Sequence, residues 1–242
     1  MTRRAGLRTV GYTDRLEAGR QLADELASYA SRADLIVLGL PRGGVVTAAA
    51  VAERLGATLD VFCVRKLGVP WQPELAMGAV ATGGVRVINE EVVHQLQVHP
   101  DEIDRVVQRE RNVLEHRERL YRGDRPPLLL RDKTVIVVDD GMATGASARA
   151  ALAAVRTHEP ARLILAVPVA PTQTVHELSH LVNELVCPLT PVPFEAVGRW
   201  YRDFRPTTDA EVRALLSANP AVPDRDQATR STDRDSKEDD AG

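Results

Sequence analysis

Cysteine is almost missing from this chain, which carries only Cys63 and Cys187 among its 242 residues. The two lie far apart in apolar, strand-like stretches, so no disulfide framework or zinc site is indicated and buried free thiols are expected. Long hydrophobic runs are missing as well. No segment approaches the ~18 to 20 apolar residues of a membrane span, and Arg3, Arg4 and Arg8 are not followed by the apolar core of a signal peptide. A soluble, cytoplasmic protein with no membrane partner is expected. Nor is there an excess of positive charge: 31 basic residues face 34 acidic ones, for a net charge of −3. Nucleic acid is therefore not expected as a partner, and an anionic substrate would need a local basic site.

Apolar residues, by contrast, make up 44% of the chain, enough at this length for one α/β core with a small appendage. The most informative stretch is Val135-Ile136-Val137-Val138-Asp139-Asp140-Gly141-Met142-Ala143-Thr144-Gly145-Ala146-Ser147. Its first four residues are β-branched without polar alternation, which predicts a strand covered on both faces. Asp139 and Asp140 then fall at the carboxyl end of that strand, where open α/β sheets bind ligands. Adjacent like charges disfavour each other's ionisation unless a donor or cation faces them, and a sugar diol or a metal would serve. Gly141, Ala143, Gly145 and Ala146 leave backbone N–H groups accessible, Thr144 and Ser147 add hydroxyls, and a helix over 148–157 follows. Its N-terminus favours negative charge, so the string describes a cup for a phosphorylated sugar. The plainer alternative is a buried strand feeding a helix capped by Asp140 or Thr144. A Walker A loop is excluded because Ala146, not lysine, follows Gly145, and the glycine spacing does not fit a dinucleotide fingerprint.

Along the chain, apolar runs and helical periodicities alternate. A helix over 15–29 with Asp14 as its cap precedes an apolar strand at 34–40, the turn Pro41-Arg42-Gly43-Gly44 and a small-residue helix over 45–55. A strand at 59–64 leads to Arg65-Lys66, and two prolines and a glycine predict an irregular loop at 67–73. Short strands at 74–80 and 85–88 flank the turn Thr82-Gly83-Gly84, and helices follow over 89–97 and 100–121. In the second, Arg105, Arg109, Arg111, Arg117 and Arg119 interleave with Glu102, Glu110, Glu115 and Glu118, which predicts a salt-bridged, solvated face. Further strands at 161–167 and 184–187 enclose a helix over 171–182. This order implies a parallel sheet with right-handed crossovers. Phe194, Trp200, Tyr201 and Phe204 then cluster in a chain that is only 4% aromatic, either lining a pocket or forming a satellite core, before a last helix over 209–216. From 221 onward almost nothing is apolar, and a disordered tail over 221–242 is expected.

The Asp139–Ser147 string resembles the phosphoribosyl pyrophosphate (PRPP) signature of the type I phosphoribosyltransferases. Pro41-Arg42-Gly43-Gly44 and Arg65-Lys66 occur in that family's order, and the likeness extends over roughly 12–216. Within the family, the chain is most similar to a bacterial group of predicted phosphoribosyltransferases whose acceptor is not established. The resemblance implies a Rossmann-like α/β fold over 1–220, with a mainly parallel sheet flanked by helices and a small C-terminal hood-like segment at 188–217. It implies that Asp139 and Asp140 hold the ribose hydroxyls, and that Ala143, Thr144, Gly145, Ala146 and Ser147 bind the 5′-phosphate. Arg42, Gly43, Gly44, Arg65 and Lys66 would bind pyrophosphate, with Arg42 and Lys66 counted among the catalytic groups. The family's turn at the Arg42 position often carries a cis peptide, and its loop after the Arg-Lys pair closes over the reaction centre. Magnesium is implied as cofactor, held through substrate and water near Asp139 and Asp140 rather than by direct protein ligands. Glu74, Phe194, Trp200 and Tyr201 are candidates for the acceptor pocket.

The implied reaction displaces pyrophosphate from PRPP with a small nitrogenous acceptor; the alternative is a non-catalytic PRPP- or nucleotide-binding regulator. Hypoxanthine-guanine members carry an aspartate where this chain has Ala143, which argues against a 6-oxopurine acceptor. Assembly is left open, a homodimer included.

Overall fold

In a computed structural model describing residues 11–219, the chain alternates strands and helices around a five-stranded sheet. The elements are α1 (Arg15–Glu25), β1 (Leu35–Gly39), α2 (Gly43–Leu55) and β2 (Thr58–Val61). Next come β3 (Val64–Val69), β4 (Gln72–Ala81), β5 (Val85–Ile88), α3 (Glu90–Gln95) and α4 (Pro100–Arg122). The last are β6 (Thr134–Val138), α5 (Ala146–Arg156), β7 (Arg162–Ala166), α6 (Thr172–Ser179), β8 (Glu184–Val186) and α7 (Asp209–Ala218). The expected polar tail at 221–242 and the arginines at positions 3, 4 and 8 lie outside the described residues.

All pairings in the main sheet are parallel, in the order β2-β1-β6-β7-β8. Its core follows the two-residue period of the strands. Val37, Ile136, Val138 and Ile164 face α1, α2 and α7, whereas Leu38, Val135, Val137 and Leu165 face α5 and α6. Because β6 is buried on both faces, its β-branched residues need no polar alternation. The strand order reverses direction between β1 and β6, so their carboxyl ends border the crevice where such sheets bind ligands. Asp14 caps α1 through a 2.9 Å bond from the Glu17 amide.

Between β2 and β6 the chain builds a second, antiparallel sheet, β3-β4-β5, whose Leu67, Val69, Met77 and Val80 pack on Val98, Ile103 and Val106. This corrects the expectation of an irregular loop at 67–73. Leu67 and Val69 are fully buried, and their alternation with Gly68 makes them strand residues. Pro70 sits in the turn with Trp71, Gly68 lies between two register shifts, and Pro73 is near the start of β4 opposite the second shift, all of which a hairpin tolerates.

Candidate active site

The turn after β1 is pressed onto the end of β6. The Leu40 amide donates to the Val138 carbonyl at 2.9 Å, the Pro41–Arg42 peptide is cis, and α2 begins at Gly43. A methyl on Gly43 would lie 1.9 Å from Asp140 Oδ2, and one on Gly44 would lie 2.9 Å from Asp139 Oδ1. Both glycines are helical, so they are needed for close approach rather than for positive φ.

Asp139 and Asp140 differ in their surroundings. The Asp140 amide donates to Asp139 Oδ1 at 2.9 Å. Loss of hydration, reinforced by the neighbouring Asp140 charge, raises the Asp139 carboxyl well above the ordinary carboxylate range. Asp140 is clamped: Arg15 Nε donates to its Oδ2 at 2.6 Å, and the Tyr201 hydroxyl donates to its carbonyl at 2.6 Å. Arg15 is itself buried, donates from Nη1 to the Arg205 carbonyl at 2.9 Å and lies 4.0 Å from the centre of the Phe204 ring. Sequence reasoning missed Arg15, because an arginine in the first turn of a sheet-covering helix carries no mark of burial.

The loop after Asp140 is held from its back. The Met142 amide donates to the Val169 carbonyl at 2.9 Å, and Thr174 Oγ1 donates to the Ala143 carbonyl at 2.7 Å. Gly145, at φ 69°, occupies the cap position of α5, so neither Asp140 nor Thr144 caps this helix. Its first internal bond runs from the Arg149 amide to the Gly145 carbonyl, which leaves the amides of Ala146, Ser147 and Ala148 ahead of the ladder. Thr144, Ala146 and Ser147 are exposed, as a phosphate cup requires.

A cavity of about 520 Å³ joins Pro41, Asp139 and Ser147 to Arg65 and Lys66 on β3 and to α4. The cations therefore reach it from the antiparallel hairpin and not from the end of a parallel strand. Arg65 donates from Nε and Nη2 to Glu110 Oε2 at 2.9 and 2.5 Å, and Arg109 Nε donates to Oε1 at 3.0 Å. Burial pushes the Glu110 carboxyl up, but these guanidinium bonds outweigh it and hold the group below its usual range. Glu110 was expected on a solvated face; it is buried instead. Lys66 Nζ lies 3.1 Å from the Glu74 carbonyl and 3.4 Å from its Oε2. Arg42 does not line this cavity; its side chain is half-exposed, with Nη1 3.9 Å from Asp209 Oδ1 on α7. Burial pushes the Cys63 thiol in the cavity wall up to about 12, which leaves it inert as a nucleophile.

The family profile described as "Phosphoribosyl transferase domain" matches residues 12–198. The chain belongs to this family. Two Mycobacterium tuberculosis proteins, from strains CDC 1551 and H37Rv and named as predicted phosphoribosyl transferases, are each 45% identical over 205 residues. The match covers 85% of this chain and 46% of theirs, so the chain spans about half the length of these curated relatives. Among solved structures, TT1426 from Thermus thermophilus is 42% identical with a TM-score of 0.80, over 87% of this chain and 100% of that one.

Of the residues expected at the acceptor pocket of this phosphoribosyl transferase domain, three pack together and Glu74 stands apart from them. Glu74 stands on the hairpin with its side chain 97% exposed. Phe194, Trp200 and Tyr201 pack with Tyr12, Ala18, Val169 and Phe204 in a satellite cluster, Tyr12 and Tyr201 lying 5.5 Å apart. That cluster supports Asp140 from below through the Tyr201 hydroxyl. Among the described residues, no group of three or more His, Cys, Asp or Glu side chains could hold a metal ion, and no helix is long and apolar enough to cross a membrane.

Proposed function

We propose that this chain binds PRPP with magnesium at the β1/β6 edge and, in the cytoplasm, transfers phosphoribose to a small nitrogenous acceptor, releasing pyrophosphate. The observation that carries the proposal is the packing of the Gly43-Gly44 turn on the Asp139–Asp140 pair, beside a cavity that Ser147, Arg65 and Lys66 share. In this reading the amides and hydroxyls of 143–147 hold the 5′-phosphate at the start of α5. Asp140, fixed through Oδ2 by Arg15, offers Oδ1 to the ribose hydroxyls, and Asp139 beside it accepts or donates a second hydrogen bond.

The bond from the anomeric carbon to pyrophosphate breaks with its electron pair leaving on the diphosphate, and the acceptor nitrogen's lone pair forms the new bond. Positive charge develops on the ribose next to the aspartates. Arg42, Arg65, Lys66 and the backbone at Gly43 and Gly44 offset the leaving group's charge, where one well-placed donor contributes ~2.7 to 4 kcal/mol. Asp140 Oδ2 is already taken by Arg15 and Asp139 Oδ1 by an amide, so the site suits a magnesium ion that arrives on the diphosphate with most of its ligands from substrate and water. Bound there, magnesium would neutralise part of the diphosphate charge. Ala143 has no group to take the acceptor's proton, which favours an acceptor that needs no base at that position.

The test is to incubate the protein with PRPP, magnesium and a panel of nitrogenous bases and amines, following pyrophosphate release. Release above the acceptor-free control with at least one compound is expected. PRPP binding without release would favour a regulatory role, and no PRPP binding would overturn the reading.

A further inference from the structure

The cavity wall opposite the aspartates is formed by α4, and its residues there follow one helical stripe. Val106, Arg109, Glu110, Leu114 and Arg117 line the cavity at successive spacings of three, one, four and three, so they share a single face. The apolar members seat the helix, and the polar ones are organised around a single buried group. Glu110 has a side chain only 10% exposed, and it accepts from Arg65 on the hairpin and from Arg109 one residue before it. Arg65 and Arg109 keep side-chain exposures of 34% and 68%. Each guanidinium carries five N–H donors in a fixed plane. Arg65 commits its Nε and one Nη2 donor to Glu110, and Arg109 commits its Nε, so the remaining donors are free to meet an anion in the cavity.

We infer that α4 supplies an anion-binding wall facing the diphosphate, with Glu110 as a positioning residue that aims Arg65 and Arg109 into the cavity and Arg117 as a further cation of that wall. The inference rests on the proposed PRPP site. It adds residues of α4 to a site otherwise built on the parallel sheet and on the β3 strand of the hairpin. Glu110 acts only through the arginines, since both of its oxygens are occupied by them.

The sign of one substitution separates this role from two others. A carboxylate that only adds negative charge near the anion would weaken pyrophosphate binding, so neutralising it would tighten binding. A merely structural carboxylate would change the melting temperature and leave affinity alone. A positioning carboxylate predicts the reverse of the first: in Glu110→Gln the amide oxygen can accept from only one guanidinium, its NH2 group meets the other donor to donor, that arginine swings away, and binding loosens.

Titration calorimetry with inorganic pyrophosphate and magnesium, and in parallel with ribose 5-phosphate, reads the two ends of the site separately. The wild type is expected to bind both. Glu110→Gln is expected to weaken pyrophosphate by about tenfold while ribose 5-phosphate is unchanged. Arg119→Gln, an exposed substitution on the same helix and away from this cavity, is expected to change neither. Unchanged or tighter pyrophosphate binding in folded Glu110→Gln overturns the inference. If that variant does not fold, Arg109→Gln carries the test, with a several-fold loss expected and no loss overturning it. A wild type that binds ribose 5-phosphate but not pyrophosphate defeats the α4 wall and leaves the sugar-phosphate end standing. Failure to bind either ligand defeats the PRPP site and the wall with it.

Discussion

The Asp139–Asp140 edge and the α4 wall face one cavity, and each buries a carboxyl group, yet the two groups are driven in opposite directions. Asp139 loses hydration and has a second carboxylate as its neighbour, so its acid form is favoured. Glu110 also loses hydration but is met by two guanidiniums, so its ionised form wins. Burial pushes both carboxyls the same way, and the charges beside them reinforce that push at Asp139 and overturn it at Glu110. The edge is thereby prepared to gain by meeting donors or a cation brought with substrate, whereas the wall is already neutralised internally and presents positive charge. One side awaits its partner, and the other has been supplied with one by the fold.

Changes that close the edge sterically should have the largest effect. Gly43→Ala puts a methyl 1.9 Å from Asp140 Oδ2, and we expect pyrophosphate release from PRPP to fall by more than about 100-fold with circular dichroism unchanged. Retained activity would show that the turn yields and that the close approach is not needed. Next is Arg15→Met, which removes the guanidinium from Asp140 Oδ2 and from the Phe204 ring while keeping an unbranched apolar stem. A charge-assisted hydrogen bond of ~1.5 to 3 kcal/mol implies a drop in kcat/KM of about tenfold to 100-fold. Wild-type kinetics in this variant would mean that Asp140 is oriented by its backbone alone.

Stability measurements sharpen the contrast between the two carboxyls. Glu110→Gln should lower the unfolding free energy by about 1 to 3 kcal/mol at neutral pH, read by denaturant melts. The folded-state pKa of Glu110 lies below its ordinary 4.5, so its contribution is full above that value and is lost as pH falls through the lower folded value. The difference between wild type and variant should therefore shrink only in acid. Asp139 has the opposite sign. Its folded pKa is raised above the ordinary 3.8, so the favourable neutral form is retained below 3.8 and stability declines as pH rises through the folded value. Asp139→Asn should accordingly raise the melting temperature at neutral pH by a few degrees, about 1 kcal/mol, and the gain should vanish below about pH 4. A destabilised Asp139→Asn at neutral pH would remove the asymmetry between the two walls.

The parallel sheet and the small-residue turn between β6 and α5 were legible because their signals are local. A β-branched run buried on both faces, two acids at its end and a small-residue turn all lie within one short string. The hairpin was less legible. Pro70, Pro73 and Gly68 argue for a loop, and only the burial of Leu67 and Val69 against α4 reverses that reading. Glu110 and Arg15 were missed for a related reason. Interleaved charges on a long helix look solvated whether or not one of them faces a neighbour, and the partner of Arg15 lies 125 positions away. The aromatic cluster was read with two meanings left open, and it packs as a satellite core beneath Asp140. What a sequence pattern cannot supply is which charged side chain finds its partner across the fold.

The central claim is that Asp140, at the β6 edge, engages the ribose of PRPP. Calorimetric titration of PRPP with magnesium into wild type and Asp140→Asn tests it most directly, with melting temperatures measured on the same samples. The account predicts saturable binding by the wild type and at least about 100-fold weaker binding by a folded variant. Equal affinities in two equally folded proteins would contradict it.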